Sequence, residues 1–309
     1  MSFIDFHCDT ASLIYETDDN LYQNTFHIDI TKMEKANYLA QWFAFFIHLK
    51  QVETAGTTAF ELYNNMYNYF VNQVKCNSDK IEIVRTYNEY EKVKNSGKLS
   101  AFLSIEEGEV VAGGLDKVDK VEEMGIRLMT LTWNFSNSLG HPHTINKGLK
   151  PYGKEVVDYL NSKKILVDVA HLSVEGIDDV LKISTKPVVA SHSNARGKKL
   201  HSRNLTDLHI KKIANSGGII GVNFYNNFIN DKKVTKVADI VAMADYIYKV
   251  GGSDVVALGT DFDGIDCKLE IKNCSEMTIL QNALVKQFGT ELAEKFMYKN
   301  AERLIQENL

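Results

Sequence analysis

The chain reads as a closed (β/α)8, or TIM, barrel, and three observations predict it. Short apolar segments alternate with helical ones along the 309 residues, and strands separated by helices pair in parallel. The alternation repeats eight times, and eight such units in about 300 residues suit a closed barrel. Neither G-x-G-x-x-G nor G-x-x-x-x-G-K-[ST] occurs. An open doubly wound sheet, the main rival, is expected to carry such a phosphate loop after an early strand.

Core strands are expected at 3–7, 39–47, 100–106, 126–132, 165–170, 187–191, 218–223 and 255–260. The first is an apolar run that ends in His7 and Asp9. Alternate side chains of a strand share a face, so His7 and Asp9 project together and Cys8 points away. Residues 11–37 read as polar and irregular, with Asp18-Asp19-Asn20 as a loop. Leu39 to Ile47 is nearly continuous apolar and aromatic sequence, as in a strand covered on both faces, and His48 follows it. A helix is expected over 55–75, where Phe60, Leu62, Met66 and Phe70 recur at helical spacing. A short strand at 80–84 and a helix at 87–94 come next.

The strand at 100–106 ends on Glu106. A helix carrying Val118, Val121 and Met124 stops at Gly125. After the strand at 126–132, residues 134–153 form a long polar loop, and loops of that length often line sites. The alternation is then regular: helices at 153–162, 174–183 and 236–250, one N-capped by Thr206, and amphipathic helices at 276–287 and 290–307. His171 and His192 follow directly on two successive strands. His27, His201 and His209 lie in loops or on a helix and read as solvent-facing.

Composition narrows the class. Hydrophobic residues make up 44 % and charged residues 24 %, with a net charge of −5 and no basic stripe, which excludes nucleic acid as a partner. Only three prolines occur and no Ser/Gly/Pro-rich linker, so residues 1–309 are expected to form one catalytic domain. The four cysteines form no C-x-x-C pair, which suggests free thiols in a reducing compartment. The apolar runs are too short to span a bilayer, and the first strand leaves no room for a signal peptide. A soluble, cytoplasmic protein with no membrane partner is expected, monomeric or homodimeric.

Barrel active sites lie at the C-terminal strand ends. Those ends carry His7, Asp9, His48, Glu106, Trp133, His171, His192, Asn223 and Asp261. A single histidine there is more often structural, but so many ligand-type side chains at one rim favour a metal. His and carboxylate donors without thiolates suit zinc or another first-row divalent ion. Three His and two carboxylates exceed the needs of one tetrahedral ion with an open position, whereas a pair of ions bridged by a carboxylate uses them all. No Lys ends the strands at 106 and 132, so Glu106 is the natural bridge; Glu107 would point the other way and Glu109 is a weaker rival.

The segments Phe6-His7-Cys8-Asp9-Thr10, Ser104-Ile105-Glu106, Val167-Asp168-Val169-Ala170-His171-Leu172-Ser173, Ser191-His192-Ser193, Ser202-Arg203-Asn204 and Gly259-Thr260-Asp261-Phe262-Asp263-Gly264 together resemble the membrane (renal) dipeptidase family of zinc peptidases. Leu149-Lys150-Pro151-Tyr152-Gly153, Val222-Asn223-Phe224-Tyr225-Asn226-Asn227 and Lys299-Asn300-Ala301-Glu302-Arg303 extend the likeness in order along the chain. It implies a metallopeptidase with two Zn2+ ions that cleaves dipeptides through a hydroxide bridging the metals. His7, Asp9 and Glu106 would hold one ion, and Glu106, His171 and His192 the other. Asp261 would handle the proton and Arg203 the substrate carboxylate, with Trp133 and Asn223 also at the substrate.

This sequence departs from the family where relatives carry a carbonyl-polarising His and Trp133 stands here; an indole donates one hydrogen bond but takes up no proton. Surface-anchored members also carry a signal peptide and a lipid-anchor tail, and neither is expected here. The alternative reading is a metal-dependent hydrolase of another amide, lactam or lactone; a more distant one is a barrel that serves as a scaffold without turnover. The physical roles hold apart from the family. An acid must protonate the leaving amine, which suits Asp261, and the planar fork of Arg203 can grip a carboxylate.

Overall fold

Eight parallel strands close on themselves in the computed structural model, which describes residues 1–309. The chain has eleven strands in all: β1 (Phe3–Cys8), β2 (Tyr38–Phe46), β3 (Ile81–Ile83), β4 (Leu99–Glu106), β5 (Ile126–Thr130), β6 (Leu166–Asp168), β7 (Val188–Ala190), β8 (Ile219–Val222), β9 (Val234–Thr235), β10 (Val256–Leu258) and β11 (Lys268–Leu269). Neighbours run β2-β1-β10-β8-β7-β6-β5-β4, and a β2–β4 ladder from Ala40↔Ser100 to Phe46↔Glu106 shuts the ring. All eight expected core strands are present, trimmed at the C-terminal ends of β2 and β5 and at both ends of β6, β7, β8 and β10. β3 pairs Ile81–Ile83 with Leu99–Ala101, on the stretch of β4 that precedes its pairing with β5 from Leu103 onward. β9 and β11 form a separate two-stranded ladder.

Side-chain alternation explains what fills the ring. Ile4, Phe6, Ala40, Trp42, Phe102, Leu128, Leu166, Val189, Ile219 and Ala257 form one cluster inside the barrel. Their strand neighbours Phe43, Leu103, Met129, Val167, Val188, Ile220 and Val256 belong to the outer core. Trp42 is fully buried and stacks between Phe6 (ring centroids 5.0 Å apart) and Phe102 (4.6 Å). Beneath them, Ala301, Leu304 and Ile305 of the helix Asn300–Asn308 join the cluster with Val84, Tyr90 and Val93 and close the barrel floor. Gly221 and Gly259 face each other across the wall, where a Cβ on either would collide with the Ser191 carbonyl oxygen.

Local chemistry sets the helix ends. Thr58 and Thr86 each cap a helix through a reciprocal box with Glu61 and Glu89, and Thr206 accepts from the His209 amide as expected of an N-cap. Three stretches depart from expectation. Residues 11–37 contain two short helices, Thr10–Thr17 and Ile30–Ala36, the second capped by Asp29 accepting from the Lys32 amide; helices this short carry too few turns to show a period. The segment expected as one helix over 55–75 is preceded by a separate helix, Leu49–Ala55, which stops at Gly56 with φ 63° before Ala59–Cys76 begins. The last helical stretch includes a π-helical segment at Lys295–Lys299. All four cysteines are free, and no helix is long and apolar enough to cross a membrane.

The stacked interior makes Trp42 the side chain the barrel can least lose. Trp42→Ala should cost about 3–5 kcal/mol, read from urea unfolding. Trp42→Phe should cost well under half of that, since it keeps the stack and removes an indole N–H that has no partner.

Candidate metal centre

The inward-facing residues of each strand turn polar toward its C-terminal end. By alternation Phe102 leads to Ser104 and Glu106, Leu128 to Thr130, Leu166 to Asp168, Val189 to Ser191, Ile219 to Asn223, and Ala257 to Asp261. That alternation brings Glu106 and Asp261 to the rim. His7 and Asp9 reach it past a register shift in β1, and His171 and His192 from just beyond the ends of β6 and β7; all six are 8 % exposed or less.

Glu106 lies at the centre, with its two oxygens facing opposite sides. Oε2 is 3.4 Å from His7 Nε2, which is also 3.4 Å from Asp9 Oδ2 and 3.8 Å from Asp261 Oδ1. Oε1 is 3.0 Å from His171 Nε2 and 3.4 Å from His192 Nε2. His7, Glu106 and His192 offer donor atoms within 4.8 Å of one another, and so do His7, Asp9 and Asp261.

Hydrogen bonds behind the imidazoles decide which way their lone pairs face. His171 Nδ1 lies 2.9 Å from Asn134 Oδ1, an acceptor, so Nδ1 carries the proton. Asp168 Oδ2 accepts the Ser191 hydroxyl proton at 2.6 Å, leaving the Ser191 oxygen to accept from His192 Nδ1 at 2.8 Å. Both Nε2 atoms then present lone pairs inward, 2.9 Å apart and beside Glu106 Oε1. Acceptors crowded in this way repel one another unless a cation neutralises them. His7 Nε2 and Asp9 Oδ1 are likewise buried without a hydrogen-bond partner. This donor set fits a divalent metal.

Protonation of the cluster points the same way. Burial opposes charge on His7, but Glu106 and Asp9 outweigh it and hold the imidazole well above its usual pKa, a field that favours positive charge at this point. Burial lowers His171 to about 3, helped by Arg203. It raises Asp9 to about 6 against the pull of His7. Asp261 rises to about 8, with burial as the main cause, His7 opposing, and Asp9 and Glu106 adding to it. His171 and Asp261 both hold left-handed backbone, with φ of 65° and 63°, a conformation that costs a non-glycine residue energy and collects at functional sites. Beside them, a Cβ at Gly264 would run into the Asp9 and Asp261 carboxylates.

A cavity of about 470 Å³ opens onto this cluster, lined by Asp9, Glu106, His171 and Asp261 and walled by Ser12, Glu16, Phe46, Gln51, Trp133, Asn134, Tyr225 and Phe228. Trp133 is a half-buried wall residue, its ring centroid 6.2 Å from that of His171. Asn223, expected at the substrate, is fully buried, and its amide donates to Asp261 Oδ2 at 2.8 Å. Arg203 is 4 % exposed and sits behind Phe228, its Cζ 5.7 Å from that ring centroid. The guanidinium donates to Ser193 Oγ and the His192 carbonyl, both at 3.0 Å, while its Nε has no partner. Burial lowers its pKa to about 10. His48 packs against Trp133 and Phe135, outside the cluster.

Several residues stand elsewhere than expected, or were not anticipated. His209 is buried, 3.7 Å from Asp178, rather than solvent-facing. His27 is partly covered, stacked on Phe262 and bound to the Asp263 amide. Glu107 turns away from Glu106 with φ 121° and anchors the 134–153 loop by accepting from the Trp133 amide and the Asn137 side chain. Glu109 binds Ser138. Asp5 and Asp168, unremarked in the sequence, are fully buried carboxylates just below the cluster. Their signal was a charge inside an otherwise apolar strand.

A parallel (β/α)8 barrel whose mouth gathers His and carboxylate donors around one central Glu defines a metal-binding barrel protein. This chain belongs to the membrane dipeptidase family, Peptidase family M19, whose model matches residues 1–308. It is 30 % identical over 266 residues to an uncharacterized dipeptidase of Schizosaccharomyces pombe, a match that spans 78 % of this chain and 62 % of that protein. Among solved structures, it is similar to a metallopeptidase from Rhodobacter sphaeroides liganded with a phosphinate mimic of the dipeptide L-Ala-D-Ala. That likeness has a TM-score of 0.93 at 23 % identity and covers 100 % of this chain and 99 % of the other. The metallopeptidase dipeptidase AC superposes with a TM-score of 0.92 at 24 % identity, over 100 % and 98 % of the two chains.

Repulsion among the rim acceptors predicts that divalent metal stabilises the fold. Adding zinc to chelator-treated protein should raise the thermal midpoint, with about 4 kcal/mol gained at a thousandfold excess over Kd. Glu106→Ala should remove most of that gain in the same melting experiment.

Proposed function

We propose that residues 1–309 form one catalytic domain, a metal-dependent dipeptidase that holds two divalent ions, zinc first among them. The carrying observation is Glu106, whose Oε2 faces His7 and whose Oε1 faces His171 and His192. On this reading His7, Asp9 and Glu106 hold one ion, and Glu106, His171 and His192 the other. The ions, when bound, supply an activated water and a Lewis acid for the scissile carbonyl.

The chain's own groups do the rest. Asp261 Oδ1 faces His7, while Oδ2 is held by the Asn223 amide. Burial keeps its carboxyl able to carry a proton near neutral pH, which suits an acid that protonates the departing amine. Asn223 thus serves by holding Asp261. Arg203 spends two of its N–H groups on Ser193 and His192 and leaves Nε free, so it retains donors for a substrate carboxylate. Trp133, Phe46 and Phe228 give the cavity apolar walls against the substrate's side chains and exclude water there.

Elemental analysis should find about two ions per chain. Asp261→Asn should lower kcat by roughly a hundredfold or more with metal content retained; loss of both would make Asp261 a ligand.

Dipeptides should exceed their C-terminal amides by roughly a hundredfold in kcat/KM, because an unpaired buried guanidinium costs several kcal/mol. Arg203→Ala should erase that preference. Equal turnover of dipeptides and amides by the unaltered protein would sink the carboxylate role and favour a hydrolase of other amides or lactones.

A further inference from the structure

The two imidazoles that face Glu106 Oε1 are backed by different chemistry. His171 Nδ1 meets the neutral amide of Asn134, which lines the cavity. His192 Nδ1 meets Ser191 Oγ at 2.8 Å, and that hydroxyl is bound to Asp168 Oδ2 at 2.6 Å. Asp168 is fully buried and lies outside the cavity. Its Oδ1 accepts from the amides of Ala170 and Ser191 at 3.0 and 2.9 Å, and its Oδ2 also accepts from Thr130 Oγ1 at 2.6 Å. With both oxygens occupied by donors, the Ser191 hydroxyl has one direction for its proton and one for its lone pairs.

We propose that Asp168 is a positioning residue for the ion held by His171 and His192, acting on His192 through Ser191. The proposal rests on the two-ion reading above. The relay fixes the His192 tautomer with its Nε2 lone pair facing the metal, and the carboxylate charge behind it makes that nitrogen a better donor. His171, backed by an amide, gains no such charge. The ion on this side therefore hangs chiefly on His192.

Three variants separate this role from plain support of the fold. Ser191→Ala breaks the relay and keeps the Ser191 amide bond to Asp168. Asp168→Asn removes the charge. Thr130→Val deletes the other hydroxyl bond to Asp168 Oδ2 and leaves the relay whole. Zinc affinity is measured by titration against a competing chelator, with the visible spectrum of the cobalt-loaded protein as a second readout and circular dichroism to check folding. Ser191→Ala and Asp168→Asn should weaken one of two ions by about 10- to 100-fold and alter the cobalt spectrum, with the other ion unchanged. Thr130→Val should lower the unfolding midpoint but leave both affinities and the spectrum as in the unaltered protein.

Two bound ions with no loss of affinity in Ser191→Ala would overturn the relay, as would an equal loss in Thr130→Val. Should Asp168→Asn fail to fold, the Ser191→Ala and Thr130→Val pair decides alone. An unaltered protein that takes up a single ion defeats the two-ion reading instead, and the same pair of variants then judges the relay on that ion.

Discussion

A convergence of imidazole and carboxylate donors on one point is what the rest of this structure is arranged to hold. Two imidazole nitrogens 2.9 Å apart and a carboxylate oxygen share one side of Glu106, and an unpartnered His7 nitrogen with Asp9 occupies the other. Such atoms would drift apart on flexible supports. Here each is mounted on the end of a strand in a closed ring, and two buried carboxylates tie those ends together. Asp5 accepts from the His7 amide and from both the amide and hydroxyl of Thr260, joining β1 to β10. Asp168 joins β5, β6 and β7. The left-handed backbone at His171 and Asp261 is tolerated because these ties leave it no alternative.

The same alternation that fills the barrel also graduates it. Going up the strands, the inward set passes from aromatic and branched residues through small and hydroxyl residues to Glu106 and Asp261, and the histidines join them where the strands shift register or end. A dry floor beneath a polar rim lowers the effective dielectric under the cluster, which strengthens its attractions and its repulsions alike. Burial is the main cause of the upward shifts of Asp9 and Asp261, whereas His7 is raised against its burial by the carboxylates of Glu106 and Asp9.

Much of this was legible in the chain, because a buried parallel strand writes itself as a short apolar run and a barrel puts its chemistry where such runs end. His7, Asp9, Glu106, His171, His192 and Asp261 all stand at such ends, and the structure brings them to one rim. What stayed hidden depends on contacts between distant segments. Asn223 and Asp261 are 38 residues apart, and their hydrogen bond could not be read from either segment alone. Asn134 looked like loop sequence until His171 came to rest on it. His209 sits on a helix whose periodicity does not say that Asp178, on the preceding helix, will cover it. The two helices within 11–37 are too brief to announce themselves.

The floor of the barrel has a consequence for how the molecule is made. Ala301, Leu304 and Ile305 pack in the same cluster as Ile4 and Phe6 of the first strand, and Glu302 binds the Tyr90 hydroxyl at 2.6 Å. A ribosome delivers those residues some three hundred positions apart, yet the interior stays open to water from below until the later ones arrive. β1 also waits for β10 before it has neighbours on both edges. Contacts this remote along the chain slow folding, and until they form the interior side chains stay uncovered from below. Sealing the barrel therefore depends on the helix that carries Leu304 reaching the strand that carries Ile4.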